Sequence, residues 1–177
     1  GPAQNVGRIR NSGLELSATY RKQFGALDFS LSGNGTFNKN EILDLGGTDY
    51  LLPPNIINQL GDYVSRFSVG QSIGAFYGYQ VEGVFQNQAE VDAANTKANE
   101  AEKPNPYFQE QYTAPGDYKY KDVNGDGHIN ADDRTIIGNP SPKFSYGFSL
   151  NASYRRFDVA AFFQGVSGVD IFNALAY

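Results

Sequence analysis

The sequence predicts an all-β chain of antiparallel strands, long enough to suit a membrane-spanning β-barrel. Three observations carry that expectation. Apolar and polar residues alternate with period 2 over long tracts, the mark of strands with two unlike faces. The tract from Phe144 to Tyr154 alternates without a break; soluble strands usually run about 5–6 residues, and a tilted strand needs roughly 9–11 to cross a bilayer. Short and long connections also alternate, as the turns and loops of an outer-membrane barrel do. An antiparallel β-sandwich shows the same period, and on pattern alone it stands as the alternative.

The first strand is written by Leu14, Leu16, Ala18 and Tyr20 against Glu15, Ser17, Thr19 and Arg21. A short turn follows near Lys22-Gln23-Phe24-Gly25. Leu27, Phe29, Leu31 and Phe37 then alternate with Asp28, Ser30, Ser32, Asn34 and Thr36, with Gly33 and Gly35 in the apolar register. After a long connection at about 41–62, strands near 63–69 and 75–85 would flank a short turn at 70–74. Gly70, Gly74, Gly78 and Gly83 interrupt this pair. A second long connection covers 86–141. Phe144, Tyr146, Phe148, Leu150, Ala152 and Tyr154 form the fifth strand, against Ser145, Gly147, Ser149, Asn151 and Ser153. Past a turn at Arg155-Arg156, Phe157, Val159, Ala161 and Phe163 continue against Asp158 and Gln164, blurred by Ala160 and Phe162. About six strands result. Their polar register of Ser, Thr, Asn and Gly suits a wet lumen. The aromatic ends Tyr20, Phe144 and Tyr154 suit an interfacial girdle.

Composition narrows the function. The chain has 177 residues, which suits one domain or a piece of something larger. It has no Cys, so disulfides, thiol catalysis and Cys-based metal sites are excluded. His128 is its one histidine, and a net charge of −5 argues against a nucleic-acid partner. Glu15, Asp28 and Glu82 occupy strand positions with nothing to pair them for acid–base work, and the Gly-rich stretch 70–83 lacks the lysine and spacing of a phosphate loop. No enzyme is expected. The start of the chain lacks the basic and apolar regions of a signal peptide, and no Met occurs anywhere. A processed chain or a fragment is expected.

The connection 86–141 holds ten acidic residues and five Lys or Arg, which accounts for the whole net charge. Its segment 90–103 reads as a short polar helix, capped by Asn87 with Glu90 and ended by Pro104 and Pro106. Residues 122–133 read Asp-Val-Asn-Gly-Asp-Gly-His-Ile-Asn-Ala-Asp-Asp. Calcium takes six to eight oxygens, and a 12-residue loop supplies them from positions 1, 3, 5, 7, 9 and 12. Those positions hold Asp122, Asn124, Asp126, the backbone carbonyl of His128, Asn130 and Asp133. Gly127 and Ile129 fall where a sharp turn and an apolar anchor are usual. Position 12 is Asp133 rather than Glu, a shorter arm that weakens bidentate ligation unless Asp132 helps. The flanks Tyr118-Lys119-Tyr120 and 134–138 look extended, so a bound calcium would staple a loop rather than swing two helices. The alternative is a cluster of Asx turns without an ion.

Several tracts resemble the SusC/RagA family of TonB-linked outer-membrane transporters. They are 70–85 (GQSIGAFYGYQVEGVF), 115–127 (PGDYKYKDVNGDG) running on through 132–144 (DDRTIIGNPSPKF), and Phe162-Phe163-Gln164-Gly165-Val166 with Gly168, Asp170 and Asn173. Asn5-Val6-Gly7 and Asn11-Ser12-Gly13-Leu14-Glu15 are also similar to the family. Together these tracts cover nearly the whole chain. The resemblance implies an outer-membrane barrel of about 22 strands with an internal plug, energised by TonB. It implies import of glycans or peptides, and a SusD-like surface lipoprotein as partner. This chain would supply about six strands of the C-terminal third, with the plug and the rest of the barrel coming from elsewhere. Residues 1–85 and 142–177 would then be barrel strands with one outer loop, and 86–141 a long extracellular loop carrying the calcium motif. The rival readings are a soluble calcium-stapled β-sandwich for binding or adhesion, and a dockerin-like module. The second needs a helix after the loop, for which Gly138 and Pro140 leave no room. Tyr50, Tyr63, Tyr77 and Tyr107 could stack on sugars or simply pack loops.

Overall fold

The computed structural model describes residues 7–53, 63–101 and 106–173. In chain order the elements are β1 (Gly7–Phe24), β2 (Leu27–Leu45), β3 (Tyr50–Leu51), β4 (Phe67–Ser68), β5 (Phe76–Tyr79), β6 (Val81–Val84), α1 (Gln88–Ala101), β7 (Tyr118–Tyr120), a 3-10 turn (Ala131–Asp133), β8 (Arg134–Gly138), β9 (Phe144–Tyr154) and β10 (Phe157–Ser167). The chain divides into two compact units, Gly1–Phe76 with Gly138–Tyr177, and Tyr77–Ile137. The expected strand start at Asn5-Val6, the helix end at Lys103-Pro104 and the tail 174–177 lie outside the described residues.

The first unit is built on an antiparallel sheet in the order β1-β2-β9-β10. Cross-strand partners share a face of a pleated sheet, so register sorts the side chains. Leu14, Phe37 and Phe144 make one row; Ala18, Gly33, Phe148 and Phe163 a second; Phe24, Leu27, Tyr154 and Phe157 a third. All three rows lie on the same face. The opposite face carries Ser17, Asn34, Gly147 and Gln164, then Thr19, Ser32 and Ser149. Phe162 and Val166 fall on the polar face, which is why the period blurs in β10. Rings fill the apolar face where the chain has no side chain: Phe144 leans over Gly35 and Tyr146 over Gly165. Phe37 stacks on Phe144 at 4.5 Å between centroids, and Phe148 on Phe163 at 4.6 Å. This face is nonetheless open, with Phe163 52% and Phe157 76% exposed.

Both hairpins close in two residues, at Gly25-Ala26 and at Arg155-Arg156. Arg155 takes φ 56°, the left-handed conformation that such tight hairpin turns require. At the other end β1 and β2 run on past β9. Across their extension Arg10 of β1 reaches Glu41 of β2 at 2.8 Å, and Lys39 joins Glu41 from the same strand at 2.9 Å.

The structure differs from the sequence expectation between β2 and β9. These strands pair directly, from Leu27↔Tyr154 to Phe37↔Phe144. The strand pair expected over 63–69 and 75–85 does not stand between them, and among the described residues this sheet has four strands rather than six. The pair survives as one bridge, Ser65↔Phe76, and one further bond, Arg66 N to the Ala75 carbonyl at 3.1 Å. Gly70 and Gly74 both take positive φ, at 84° and 71°, within the expected turn at 70–74. The backbone about this turn bonds to the β2 extension rather than across the pair. Gly70 N donates to the Ile42 carbonyl at 2.8 Å, Ile42 N to the Gln71 carbonyl at 2.9 Å and Ile73 N to Asn40 Oδ1 at 2.7 Å. Short pairs take up other pieces: β3 with β4, β5 with β8 and β6 with β7.

In the second unit, β6 and β7 pair through Val81↔Tyr120 and Val84↔Tyr118. The expected helix is present as α1. Asn87 Oδ1 accepts from Glu90 N at 3.0 Å, and Glu90 reaches back one residue beyond the cap, to Gln86 N at 3.0 Å. Val91 and Ala98 of α1 and the neighbouring Phe85 are buried and form this unit's small apolar centre.

Candidate functional site

Residues 122–133 fold as a ring of carboxylate and amide side chains around a tight loop. Asp122 Oδ1 and Oδ2 accept from Gly125 N and Gly127 N at 2.6 and 2.8 Å. Asn124 Oδ1 accepts from Asp126 N, and Asp126 Oδ1 from His128 N, at 2.9 and 2.8 Å. These are successive Asx turns, dictated by Asp and Asn at alternate positions. Asp126 Oδ2 gathers the Asn124 and Asn130 amides, each at 3.0 Å. Its carboxyl is held below the usual carboxylate range, chiefly by the His128 N–H and then by the Asn124 amide.

Asp133 does different work. It is fully buried. Its Oδ1 accepts from Val123 N at 2.8 Å and its Oδ2 from Asn130 N at 2.7 Å, so it ties both ends of the loop together. Asn130 in return caps the 3-10 turn, accepting from Asp132 N at 2.8 Å. His128 is buried, and its Nδ1 donates to the Tyr107 carbonyl at 3.0 Å. Ile129 N bonds the Phe108 carbonyl at 2.6 Å, and Phe108 N bonds Asn95 Oδ1 on α1 at 2.9 Å. The loop is thereby anchored to α1 through the 107–108 strip.

Three of the sequence-predicted ligands, Asn124, Asp126 and Asn130, therefore share one side-chain network. Asp122 and Asp133 are committed to backbone N–H groups. Among the described residues no three carboxylate or imidazole groups gather as a metal cage by themselves. A cation here would depend on the asparagine oxygens and the His128 carbonyl, a donor set of the hard type that calcium takes.

Sequence reasoning missed a second feature of this unit. Tyr79, Tyr112, Tyr118 and Tyr120 line a cavity of about 330 Å³ with Glu110 and Asp117. Tyr112 and Tyr118 are exposed there, whereas Tyr77 and Tyr107, named from sequence, are half-buried. Tyr50 lies in the first unit under Arg66, 4.6 Å from its ring centroid. The alternation of Tyr118 and Tyr120 was the available signal.

No known family model matches the chain. Curated relatives do match. TonB-dependent receptor P26 of Formosa agariphila is 33% identical over 172 residues, 96% of this chain and 16% of its own length. TonB-dependent receptor P3 of the same organism is 31% identical over 175 residues, again 96% and 16%. SusC of Bacteroides thetaiotaomicron is a TonB-dependent receptor 28% identical over 165 residues, 88% of this chain and 14% of its own length. The chain is a relative of the SusC-like TonB-dependent receptors. This SusC-like chain spans about a sixth of the length of the curated relatives it matches. The match takes in both of its units, sheet and carboxylate loop alike.

Proposed function

We propose that this SusC-like chain forms part of the wall and one outer loop of a TonB-dependent outer-membrane transporter. The observation that carries this reading is the two-faced sheet. From Phe144 to Tyr154 the strand rises about 33 Å at about 3.3 Å per residue. Tilted by about 40°, it climbs about 25 Å, the height of the apolar band of an outer-membrane barrel. Phe37, Phe144 and Tyr146 would form the upper aromatic girdle, and Phe24, Tyr154 and Phe157 the lower. Ser17, Thr19 and Asn34 would face the lumen. Both tight turns fall at one end of the sheet, as periplasmic turns do, and residues 46–143 leave and return at the other. The open apolar face speaks against the soluble sandwich, which would have to cover it.

In this reading the parent protein supplies the remaining strands, the plug and the contact with TonB. The cargo is a glycan or a peptide, and a SusD-like surface lipoprotein serves as lid. Residues 86–141 lie outside the cell, where Tyr112 and Tyr118 offer rings, and Glu110 and Asp117 acceptors, to lid or cargo. A structural calcium ion would be held by Asp122, Asn124, Asp126, Asn130 and the His128 carbonyl, with Asp133 fixing the loop behind them. It would supply stiffness, not catalysis.

The test is fractionation of native membranes, blotted with an antibody against residues 86–141. A carbonate-resistant band in the outer membrane, several times larger than this chain, is expected. A soluble band of about this chain's mass would overturn the reading. For the ion, the receptor should resist proteolysis within 107–133 in calcium and become cleavable there in chelator. Equal cleavage in both would remove calcium from the proposal.

A further inference from the structure

We propose that the turn end of the sheet's apolar face binds the phosphate of anionic phospholipids, through Lys22 and Arg155. The inference rests on the membrane-barrel reading above.

The register places Lys22 opposite Phe29 and on the apolar face, between Tyr20 and Phe24. Arg155 reaches the same face, because its guanidinium lies 5.3 Å from the centroid of the Tyr154 ring. Tyr154 pairs with Leu27 and Phe157, the last row before the turns. The charges among the paired apolar-face positions from Phe37 to the turns, together with the Arg155-Arg156 turn, are thus cations alone, Lys22, Arg155 and Arg156, all at one end. No carboxylate shares that face with them: Asp28 and Asp158 both point to the opposite side, where Arg21 also lies. The other end differs. Beyond Phe37, Arg10 and Lys39 share one carboxylate, Glu41, on the same face.

Chemistry selects the occupant. An exposed cation beside apolar rings keeps its stem in hydrocarbon and its head at the interface. A guanidinium lying over a ring still presents its in-plane N–H donors, and these match phosphate oxygens in pairs. Lys22 adds a point charge about one residue row above. Lys22 and Arg155, at the rim of a lipid-facing surface, fit the headgroup layer that meets the turns, and they prefer lipids with a net negative charge.

The test uses the full-length receptor in detergent, titrated with phosphatidylglycerol or phosphatidylcholine and read by native mass spectrometry. The double variant Lys22→Gln/Arg155→Asn removes both charges, and Asn tolerates the left-handed turn position. Phosphatidylglycerol affinity should fall about fivefold for each charge removed, with phosphatidylcholine unchanged. Arg21→Gln, at the same height on the polar face, should bind as the wild type does. Millimolar inorganic phosphate should not displace the lipid; displacement would mean a free-anion site instead. Undiminished phosphatidylglycerol binding in the double variant, or an equal loss in Arg21→Gln, overturns the proposal. Should the double variant fail to fold, Lys22→Arg/Arg155→Lys decides. Lipid retained at low salt and released at high salt supports the site, and binding insensitive to salt overturns it. Heat-modifiable migration of the wild type reads membrane folding separately. If that is absent, the transporter reading itself falls.

Discussion

Asp133 has no exposed surface, and both of its oxygens accept backbone N–H groups from opposite ends of the 122–133 loop. Replacing it with Ala strands those donors in a buried place. Asp133→Ala should lower the local opening free energy by about 2–3 kcal/mol. Hydrogen exchange at the Val123 and Asn130 amides would read the change. Asp126 sets the loop's response to acid. Its carboxyl titrates below its ordinary value because the His128 N–H and the Asn124 amide bond its charged form. A depressed folded pKa contributes stability above the unfolded value and loses it as pH falls through the folded one. Protection of the His128 amide should therefore persist below the ordinary carboxylate range and vanish on further acidification, and an Asp126→Asn variant should lack that acid transition. The ring of oxygens was legible from alternating Asp and Asn with Gly between them. The separate duty of Asp133 was not, because its partners are backbone groups that only the closed loop brings to it.

Strands were legible where period 2 held over long tracts. β9 begins and ends at the residues its alternation marks, Phe144 and Tyr154. β1 and β2 continue well past their alternating runs, through Ile9 paired with a buried Ile42 and the Arg10–Glu41 pair, which the strict period-2 pattern does not mark. The pair misread at 63–85 fails because the backbone about its turn bonds to β2, Gly70 N to the Ile42 carbonyl and Ile42 N to the Gln71 carbonyl, rather than strand to strand. Helix α1 was legible from its cap, as Asn87 and Glu90 meet one another. Glycines within strands also divide by role. A methyl group on Gly13 would collide with the Phe37 carbonyl of the adjacent strand, whereas one on Gly83 meets nothing within 4 Å. Gly13→Ala should cost about 1–3 kcal/mol and Gly83→Ala should be near neutral. Thermal unfolding of the two variants in matched detergent would separate them.

At the scale of the whole molecule, the membrane-barrel reading proposed above makes the two faces of the sheet respond oppositely to charge. Phe148 lies mid-height on the apolar face and Ser149 beside it on the polar one. Phe148→Arg should destabilise the folded receptor in lipid by about 2–4 kcal/mol, the cost of Arg at a bilayer midplane, while Ser149→Arg should be tolerated. Urea titrations of refolding into vesicles would measure both. The direct pairing of β2 with β9 carries a further consequence. Asn38 N donates to the Lys143 carbonyl at 3.0 Å, so the excursion between them departs and returns through neighbouring backbone. Doubling the length of such an excursion costs only about 0.6 kcal/mol of closure entropy. The excursion is thus inserted at one point of the sheet's ladder. On the membrane-barrel reading proposed above, recombination between related receptors at these two positions would exchange the whole excursion while leaving the sheet's hydrogen bonds as they were.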